Sequence, residues 1–298
     1  MLVSAGWEDL DGKLLEVSAQ GGTLRFVPNH GNAGDALIAA GAWQTFDRLG
    51  LRPVMSSIDG LQTGDVALYP GGGNLVPAYE DCRMFLERCL TSDVRAAFVL
   101  PCTVRGHRDI LARLDRRFFI ACRDLKSLEF VRDSGTGAQV IAAPDLALRL
   151  DVDVLKARCA RVDVRVEFWR HIVATRRTSG YLSWRAVLSA LQVPRDGTMH
   201  ILRTDVESVQ SVPGRRRWDI SGLYVSKFQT RVEAEVIARD FLAFVARAKR
   251  VRTNRLHAGI AAALVGRPVT FVDNSYGKIR DIYETSLKDH PSIVFASS

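Results

Sequence analysis

Short apolar segments alternate along the chain with longer segments in which apolar residues recur at helical spacing. Residues 65–69 (DVALY), 96–100 (AAFVL) and 117–121 (RFFIA) are predominantly apolar runs of strand length. Residues 36–49 (ALIAAGAWQTFDRL) follow the spacing of a helix instead. Strands that are apolar on both faces and separated by helices indicate a parallel sheet covered by helices on both sides. The first half of the chain is therefore predicted to be an α/β domain.

The same alternation predicts the remaining elements. Further strands are predicted at residues 23–28, 139–142, 199–202, 250–252 and 268–272, and further helices at 78–90, 124–132, 231–249, 255–265 and 278–287. The pattern is lost after Leu150–Asp151 and returns near Gly197, so the domain boundary is predicted at Leu150–Asp151. We expect two doubly wound, Rossmann-like α/β domains, residues 1–150 and 151–298, which face each other across a cleft.

The charge balance narrows the possible partners. The chain carries 41 Lys and Arg against 33 Asp and Glu, a net charge of +8. This charge suits nucleic acid, an anionic membrane surface or a phosphorylated small molecule, and it also suits a merely soluble surface. In the arginine-rich segment 156–177, Asp163 and Glu167 interrupt the basic residues, and no nucleic-acid-binding motif is present, so nucleic acid is not predicted as a partner. A solvated basic face and a peripheral contact with a membrane are the interpretations that remain.

Several classes of protein are excluded by what the sequence lacks. The cysteines are five in number, none forms Cys-x-x-Cys, and no histidine lies beside them at zinc-ligand spacing. We therefore predict reduced thiols in a reducing compartment and no metal site. The first residues lack the basic and apolar regions of a signal peptide, so none is expected there, and no apolar run approaches the roughly 18 residues of a membrane span. The expected location is cytoplasmic, either in solution or at the inner face of the plasma membrane.

Polar and glycine-rich segments follow several predicted strands, at the edge where α/β folds bind ligands. The first, residues 29–35 (NHGNAGD), opens a helix, but its spacing is neither that of a dinucleotide-binding loop nor that of a P-loop. Its candidate binding residues are Asn29, Gly31, Asn32 and Gly34. Asp35 lies near the helix N-terminus, where it is either a cap or a general base that accepts a proton from a substrate hydroxyl.

A second segment, GGGN, follows the strand DVALY. Three glycines in a row allow a ligand or another backbone to approach closely, so we expect binding here, with a tight turn as the structural alternative. The residues are Gly71, Gly72, Gly73 and Asn74.

Arg123 follows the strand RFFIA. An arginine at this place either clamps a carboxylate or phosphate, or pairs with Asp124 while Asp124 caps the next helix. Arg105 is a weaker candidate of the same kind. Asp145, after another strand, is given a structural role in orienting an arginine.

The most informative segment is TNRLH, residues 253–257, at the start of an apolar helix. Arg255 and His257 flank the first helical turn, where cations are unfavourable against the helix dipole unless an anion lies between them. We therefore assign Asn254, Arg255 and His257 to a ligand site, although a lone histidine is often structural. Lys278, in the later segment DNSYGK, either reaches a phosphate or faces solvent.

Taken in order, these segments resemble the polysaccharide pyruvyl transferase family. The matching motifs are N-x-G-x-x-G-D at 29–35, GGGN at 71–74, RD-x-x-S at 123–127, PD at 144–145, T-x-RLH-x-x-I-x-A at 253–262, and the later YGK at 276–278. The resemblance extends over about residues 25–287. It implies a fold like that of GT-B glycosyltransferases, with residues 1–150 on the acceptor side and 151–298 on the donor side.

The resemblance also implies a reaction. Such enzymes move the pyruvyl group of phosphoenolpyruvate onto two hydroxyls of one sugar as a cyclic ketal and release phosphate. The acceptor is a polysaccharide precursor, often a lipid-linked oligosaccharide at the cytoplasmic face of the membrane. In the family the Arg-Leu-His element is linked with donor binding, which carries over to Arg255, Leu256 and His257. Arg123, Lys278 and Asn254 complete the predicted donor-binding set.

The residue types suit this chemistry. A histidine of near-neutral pKa can protonate the vinyl carbon, and a carboxylate can deprotonate the sugar hydroxyl, so His257 and Asp35 are the predicted catalytic pair. No cofactor is implied beyond phosphoenolpyruvate as co-substrate. The alternative is a GT-B-type glycosyltransferase that uses a nucleotide sugar, which would need a pocket for the base and diphosphate in the second domain.

Overall fold

The computed structural model describes residues 2–29, 31–163, 166, 173, 197–202, 230–273 and 278–296 of the chain, without the side chains of residues 2–5 and 278. The chain divides into two compact units. The first unit contains Met1–Asn29 and Gly41–Arg149, and the second contains His30–Ala40 and Leu150–Ser298. The change of pattern at Leu150–Asp151 thus falls beside the division between the units. The segment His30–Ala40, which the sequence placed in the first domain, belongs to the second unit.

The first unit is built on a seven-stranded sheet in which all the pairings are parallel. The strand order is β2-β1-β3-β5-β6-β7, and β4 pairs with β5. The bounds are β1 Leu24–Phe26, β2 Val54–Met55, β3 Val66–Tyr69, β4 Gly72–Leu75, β5 Ala96–Val104, β6 Phe118–Cys122 and β7 Gln139–Ala142. Because β2 lies on one side of β1 and β3 on the other, the strand order reverses at β1, as in doubly wound sheets.

Helices accompany this sheet. They are α1 Leu2–Ala19, α2 Ala33–Arg48, α3 Asp81–Thr91, α4 Arg108–Leu111 and α5 Leu125–Arg132, with 3-10 turns at Ile58–Gly60 and Leu146–Arg149. Every residue of β3, β5 and β6 is buried, as expected of strands covered on both faces. Strand β5 continues through Val104 instead of ending near Leu100, and α2 begins at Ala33 instead of Ala36.

Helix α1 was not predicted. It packs through a narrow apolar stripe of Leu10, Leu14 and Val17, all of them buried. A long-range ion pair between Asp11 and Arg149, with a nitrogen–oxygen distance of 2.5 Å, fixes the helix to the 3-10 turn at the end of the unit. Tertiary contacts therefore stabilise a helix whose own polar-rich sequence gives a weak helical pattern.

The second unit contains a four-stranded parallel sheet in the order β11-β10-β9-β8. The bounds are β8 Thr198–Ile201, β9 Arg250–Thr253, β10 Val269–Phe271 and β11 Ile293–Phe295. The strands lie in chain order, so this sheet shows no reversal of strand order among the residues that the structure describes. The doubly wound pattern predicted for both domains is therefore seen in the first unit alone, within those residues. Strand β11 was not predicted.

The helices of the second unit are α6 Val152–Cys159, α7 Arg231–Val245, α8 Leu256–Leu264 and α9 Lys278–Ile282, and a π-helical turn at Tyr283–Leu287 continues α9. Helix α7 begins with a capping box in which Thr230 and Glu233 exchange hydrogen bonds. Most of the arginine-rich segment 156–177 lies outside the described residues. No helix in the described part of the chain is both long and apolar enough to cross a bilayer. Both units are thus α/β structures with parallel sheets, of the Rossmann-like type.

Candidate active site

The Arg-Leu-His segment lies where β9 passes into α8. Arg255 occupies the N-cap position, and the helix begins at Leu256. Thr253, the last residue of β9, is fully buried; its hydroxyl donates to the carbonyl oxygen of Ile201 at 2.6 Å and accepts the backbone N–H of Arg255 at 2.9 Å. The hydroxyl of Thr253 therefore ties the start of α8 to strand β8. Sequence reasoning included Thr253 in the motif but gave it no role.

Packing also fixes helix α8 against the sheet. Gly259 lies so close to Phe271 of β10 that an added Cβ would be 2.1 Å from a ring carbon. Asn254 is buried beside the turn, while Arg255 and His257 are partly exposed. The segment thus places a guanidinium and an imidazole on a rigid base, within reach of solvent.

Helix α2 begins with a reciprocal cap. The side-chain oxygen of Asn32 accepts the backbone N–H of Gly34 at 2.8 Å, and the Asp35 carboxylate accepts the backbone N–H of Asn32 at 2.7 Å. Gly31 leaves room for that carboxylate, because an added Cβ would lie 1.8 Å from Asp35 Oδ2. The structural alternative for Asp35, a cap, is therefore present. The N–H groups of Asn32 and Gly34, two of the candidate binding residues, donate within the loop.

The first turns of α2 and α8 meet in the second unit. Gly34 is buried, and an added Cβ would lie 2.6 Å from Nδ1 of His257. The structure therefore brings the N-x-G-x-x-G-D segment, from Gly31 onward, into the same unit as the Arg-Leu-His segment. The sequence had placed this segment in the first domain. Asn29, the last residue of the first unit's segment Met1–Asn29, is buried. His30 lies outside the described residues.

The GGGN segment extends beyond a turn, because its last three residues belong to strand β4. Gly71 and Gly72 have φ values of +82° and +93°, a backbone conformation that residues with a side chain rarely adopt. An added Cβ on Gly71 would lie 2.2 Å from the carbonyl oxygen of Leu100. Asn74 donates its side-chain amide to the Tyr69 hydroxyl at 3.1 Å. Conformation and close backbone packing account for the first two glycines, and ligand binding by Gly71, Gly72, Gly73 and Asn74 stays a prediction.

Arg123 forms a buried ion pair, but with Asp145 and not with Asp124. Its Nη1 lies 2.5 Å from Asp145 Oδ2, and its Nε donates to the Thr103 hydroxyl at 3.0 Å. Arg123 is 2% exposed and Asp145 is 0% exposed. The role predicted for Asp145, orienting an arginine, is confirmed. Donor binding by Arg123 stays a prediction, although the guanidinium is already engaged inside the first unit.

Asp124 caps helix α5, which was one of the two alternatives predicted from the sequence. Its carboxylate accepts the backbone N–H of Ser127 at 2.8 Å and pairs with Arg105 Nη2 at 2.9 Å. Burial opposes ionisation of Asp124, but the charge of Arg105 and the hydrogen bonds from Ser127 and Arg105 outweigh it and lower its pKa. Arg105, the weaker clamp candidate, is thus the partner of a helix cap.

Lys278 begins helix α9, and its side chain lies outside the described residues. In the described part of the chain, no group of three His, Cys, Asp or Glu side chains is placed to hold a metal ion. All five cysteines are buried free thiols. The contact between Gly34 and His257 was missed from the sequence, because the helix was predicted to begin at Ala36, after Gly34.

Comparison with known proteins identifies the family. The family model described as polysaccharide pyruvyl transferase matches residues 32–276. The solved structure of a "functional uncharacterized protein", KP1_0663 from Klebsiella pneumoniae subsp. pneumoniae NTUH-K2044, is 22% identical to this chain, with a TM-score of 0.74 over 97% of this chain and 98% of that chain. That likeness concerns the fold. No curated protein matches this sequence. Since the family match spans most of its length, this chain belongs to the polysaccharide pyruvyl transferase family.

Proposed function

We propose that this protein moves the pyruvyl group of phosphoenolpyruvate onto two hydroxyls of one sugar in a polysaccharide precursor, as a cyclic ketal, and releases phosphate. Membership of the family supports pyruvyl transfer to a polysaccharide. The observation that carries the choice of donor is the start of α8, where Arg255 and His257 stand partly exposed on a turn fixed by Thr253.

The donor would need cations for both of its anionic groups. Phosphoenolpyruvate carries a carboxylate and a phosphate on the same carbon skeleton, and a guanidinium can bind either group through two parallel hydrogen bonds. Arg255 supplies the guanidinium, and the N-terminus of α8 adds the positive end of the helix dipole. Leu256 and Asn254 complete the turn, and Lys278 is the further cation proposed for the phosphate.

His257 would act as the acid. Its proton goes to the methylene carbon of the donor, which becomes a methyl group, and positive charge develops at the neighbouring carbon that carries the phosphate oxygen. One sugar hydroxyl oxygen bonds to that carbon, and a second replaces the phosphate oxygen. Of the two hydroxyl protons, one restores His257 and the other leaves with phosphate. Asp35 is proposed as the base that first accepts the proton destined for His257 and then releases it, so that His257 is protonated again for the next turnover.

The acceptor is proposed to be a lipid-linked oligosaccharide or another polysaccharide precursor, reached at the cytoplasmic face of a membrane. The net charge of +8 suits an anionic donor and an anionic surface. The GT-B-like arrangement of the domains stays a prediction. The alternative function, glycosyl transfer from a nucleotide sugar, finds no support in the family match.

Donor binding can be tested by calorimetry with phosphoenolpyruvate, and with UDP-glucose as the competing hypothesis. We expect the wild type to bind phosphoenolpyruvate and Arg255→Ala to lose at least about tenfold in affinity, because a charge-assisted contact is worth roughly 1.5–3 kcal/mol. Arg250→Ala is the matched control, since it removes the same charge from the exposed start of β9. Binding of UDP-glucose without phosphoenolpyruvate would contradict the proposal.

Turnover tests the acid. His257→Ala is expected to retain its fold and donor binding but to lose phosphate release from phosphoenolpyruvate across a panel of glycan acceptors. Near-normal phosphate release by this variant would show that another group protonates the donor.

A further inference from the structure

Gly34 stands in the first turn of α2, where glycine is among the poorest helix-forming residues. The residue is buried, and its φ is not in the left-handed region that would call for glycine. A conformational need therefore does not explain why no side chain is present.

The neighbour of Gly34 explains it. A Cβ added to Gly34 would lie 2.6 Å from Nδ1, 2.7 Å from Cγ and 2.8 Å from Cβ of His257. Non-bonded carbon and nitrogen atoms do not approach so closely without displacement. The imidazole thus packs directly on the backbone of α2, and a methyl group there would occupy its place.

Neither helix is placed to yield to such a methyl group. The start of α2 is held by the reciprocal hydrogen bonds between Asn32 and Asp35, at 2.7 Å, and between Gly34 and Asn32, at 2.8 Å. The start of α8 is held through Thr253, and its middle is held by the contact of Gly259 with Phe271. The imidazole, which turns about two side-chain bonds, is the part that would move most easily, whereas the Cβ of His257 moves only with the backbone of α8.

We propose that Gly34 is a positioning residue for His257: the bare backbone of α2 is the wall that sets the orientation of the imidazole. This role differs from the ligand contact that the sequence suggested for Gly34. It rests on the proposed function, in which His257 delivers a proton to a carbon atom. Proton transfer of this kind depends on the position of the donor nitrogen, and an error of about 1 Å costs on the order of 100-fold in rate.

The kinetic test is Gly34→Ala. We expect the turnover of phosphoenolpyruvate to fall on the order of 100-fold while its affinity, measured by calorimetry, changes less than about threefold. The control is Gly12→Ala in helix α1, where an added Cβ meets no atom within 4 Å; this variant should turn over at the wild-type rate. Unchanged turnover in Gly34→Ala would overturn the proposal.

A stability test is independent of the reaction. Gly34→Ala should lower Tm by at least about 3 °C in the wild-type background and by clearly less in the His257→Gly background, where both the imidazole and its Cβ are gone. Gly31→Ala is the comparison, because its added Cβ meets Asp35 instead of the imidazole; its effect should be the same in both backgrounds. Equal losses for Gly34→Ala in both backgrounds would overturn the contact.

The kinetic test and the stability test distinguish failure of the proposed function from failure of the proposed role of Gly34. If the wild type does not bind phosphoenolpyruvate, the proposed function fails, while the stability cycle still reports on the contact. If Gly34→Ala does not fold alone, the double variant with His257→Gly should fold, because the obstacle has been removed. If the double variant also fails to fold, contact with the imidazole does not explain why position 34 is a glycine.

Discussion

Replacing Arg123 with methionine would remove one half of a buried ion pair and leave the other half in place. Asp145 is fully buried, and its Oδ2 pairs with Arg123 Nη1 at 2.5 Å. Methionine keeps much of the volume of the arginine stem, so the principal change is loss of the charge. The experiment decides between the alternatives for Arg123, a structural partner of Asp145 and a clamp for the donor.

The expected loss follows from the burial of both groups. Removing one partner of a buried ion pair costs about 3–5 kcal/mol, because the remaining charge has neither water nor its counter-ion. Asp145 also accepts the backbone N–H of Ala147 at 2.9 Å, a bond that the substitution leaves in place. That bond moderates the penalty, so we expect a loss near the lower end, about 3 kcal/mol. For a unit of this size this corresponds to a fall in Tm of roughly 6–12 °C.

Urea unfolding followed by tryptophan fluorescence measures this loss. Asp145→Leu should cost a similar amount, and the double variant with Arg123→Met should recover most of it, because both charges leave the core together. Calorimetry with phosphoenolpyruvate then separates the two roles: the folded Arg123→Met protein should bind with wild-type affinity if Arg123 is a structural partner of Asp145 alone. If that variant kept its stability within about 0.5 kcal/mol and lost donor binding instead, the structural assignment of Arg123 would be refuted.

Three further predictions concern single groups. The pKa of Asp124 is lowered in the folded chain, so its ionised carboxylate should stabilise the fold at pH values above its unfolded pKa of about 4. This stabilisation should disappear as the pH falls through the folded pKa. Urea unfolding should therefore show that Asp124→Asn costs about 1 kcal/mol at pH 7 and nothing in acid. A cost that is independent of pH would contradict this. Burial raises the pKa of Cys159 to about 11, so its labelling by a disulfide reagent at pH 8 should be slow until urea unfolds the chain, and rapid labelling of the native protein would count against its burial. Gly41→Ala would place a Cβ 2.1 Å from the carbonyl oxygen of Leu146 and should lower the free energy of unfolding by about 1–3 kcal/mol. Gly12→Ala, whose Cβ meets no atom within 4 Å, should leave the free energy of unfolding unchanged or raise it by up to about 1 kcal/mol. Equal effects of the two substitutions on Tm would show that packing at Gly41 is loose.

The central strands could be predicted because burial on both faces leaves a continuous apolar run. Strands β3, β5 and β6 are of this kind, and all their residues are buried. Helix α7 was equally clear, since its amphipathic pattern and its capping box agree. Where local pattern and tertiary environment point to the same element, the sequence is sufficient.

Elements whose stability comes from distant contacts could not be predicted in this way. Helix α1 packs through the buried Leu10, Leu14 and Val17 and forms an ion pair between Asp11 and Arg149, a distant partner that no local pattern shows. Strand β4 is built from glycines that have little strand propensity, and it exists because it pairs with β5. The choice between the alternatives for Arg123 could not be made from the sequence for the same reason: Asp124 is adjacent in sequence, but the residue that pairs with Arg123 is Asp145, which follows the neighbouring strand β7.

The division of the proposed site between the two domains depends on the segment His30–Ala40. In sequence it precedes the boundary by more than a hundred residues, so Asp35 and His257 are predicted to come from opposite domains, one on the acceptor side and one on the donor side. In the structure both belong to the second unit. The first turns of their helices touch at Gly34, where no side chain separates them. The proposed base and the proposed acid are therefore supported by one packed framework, and the geometry of the second unit fixes the relation between their helices.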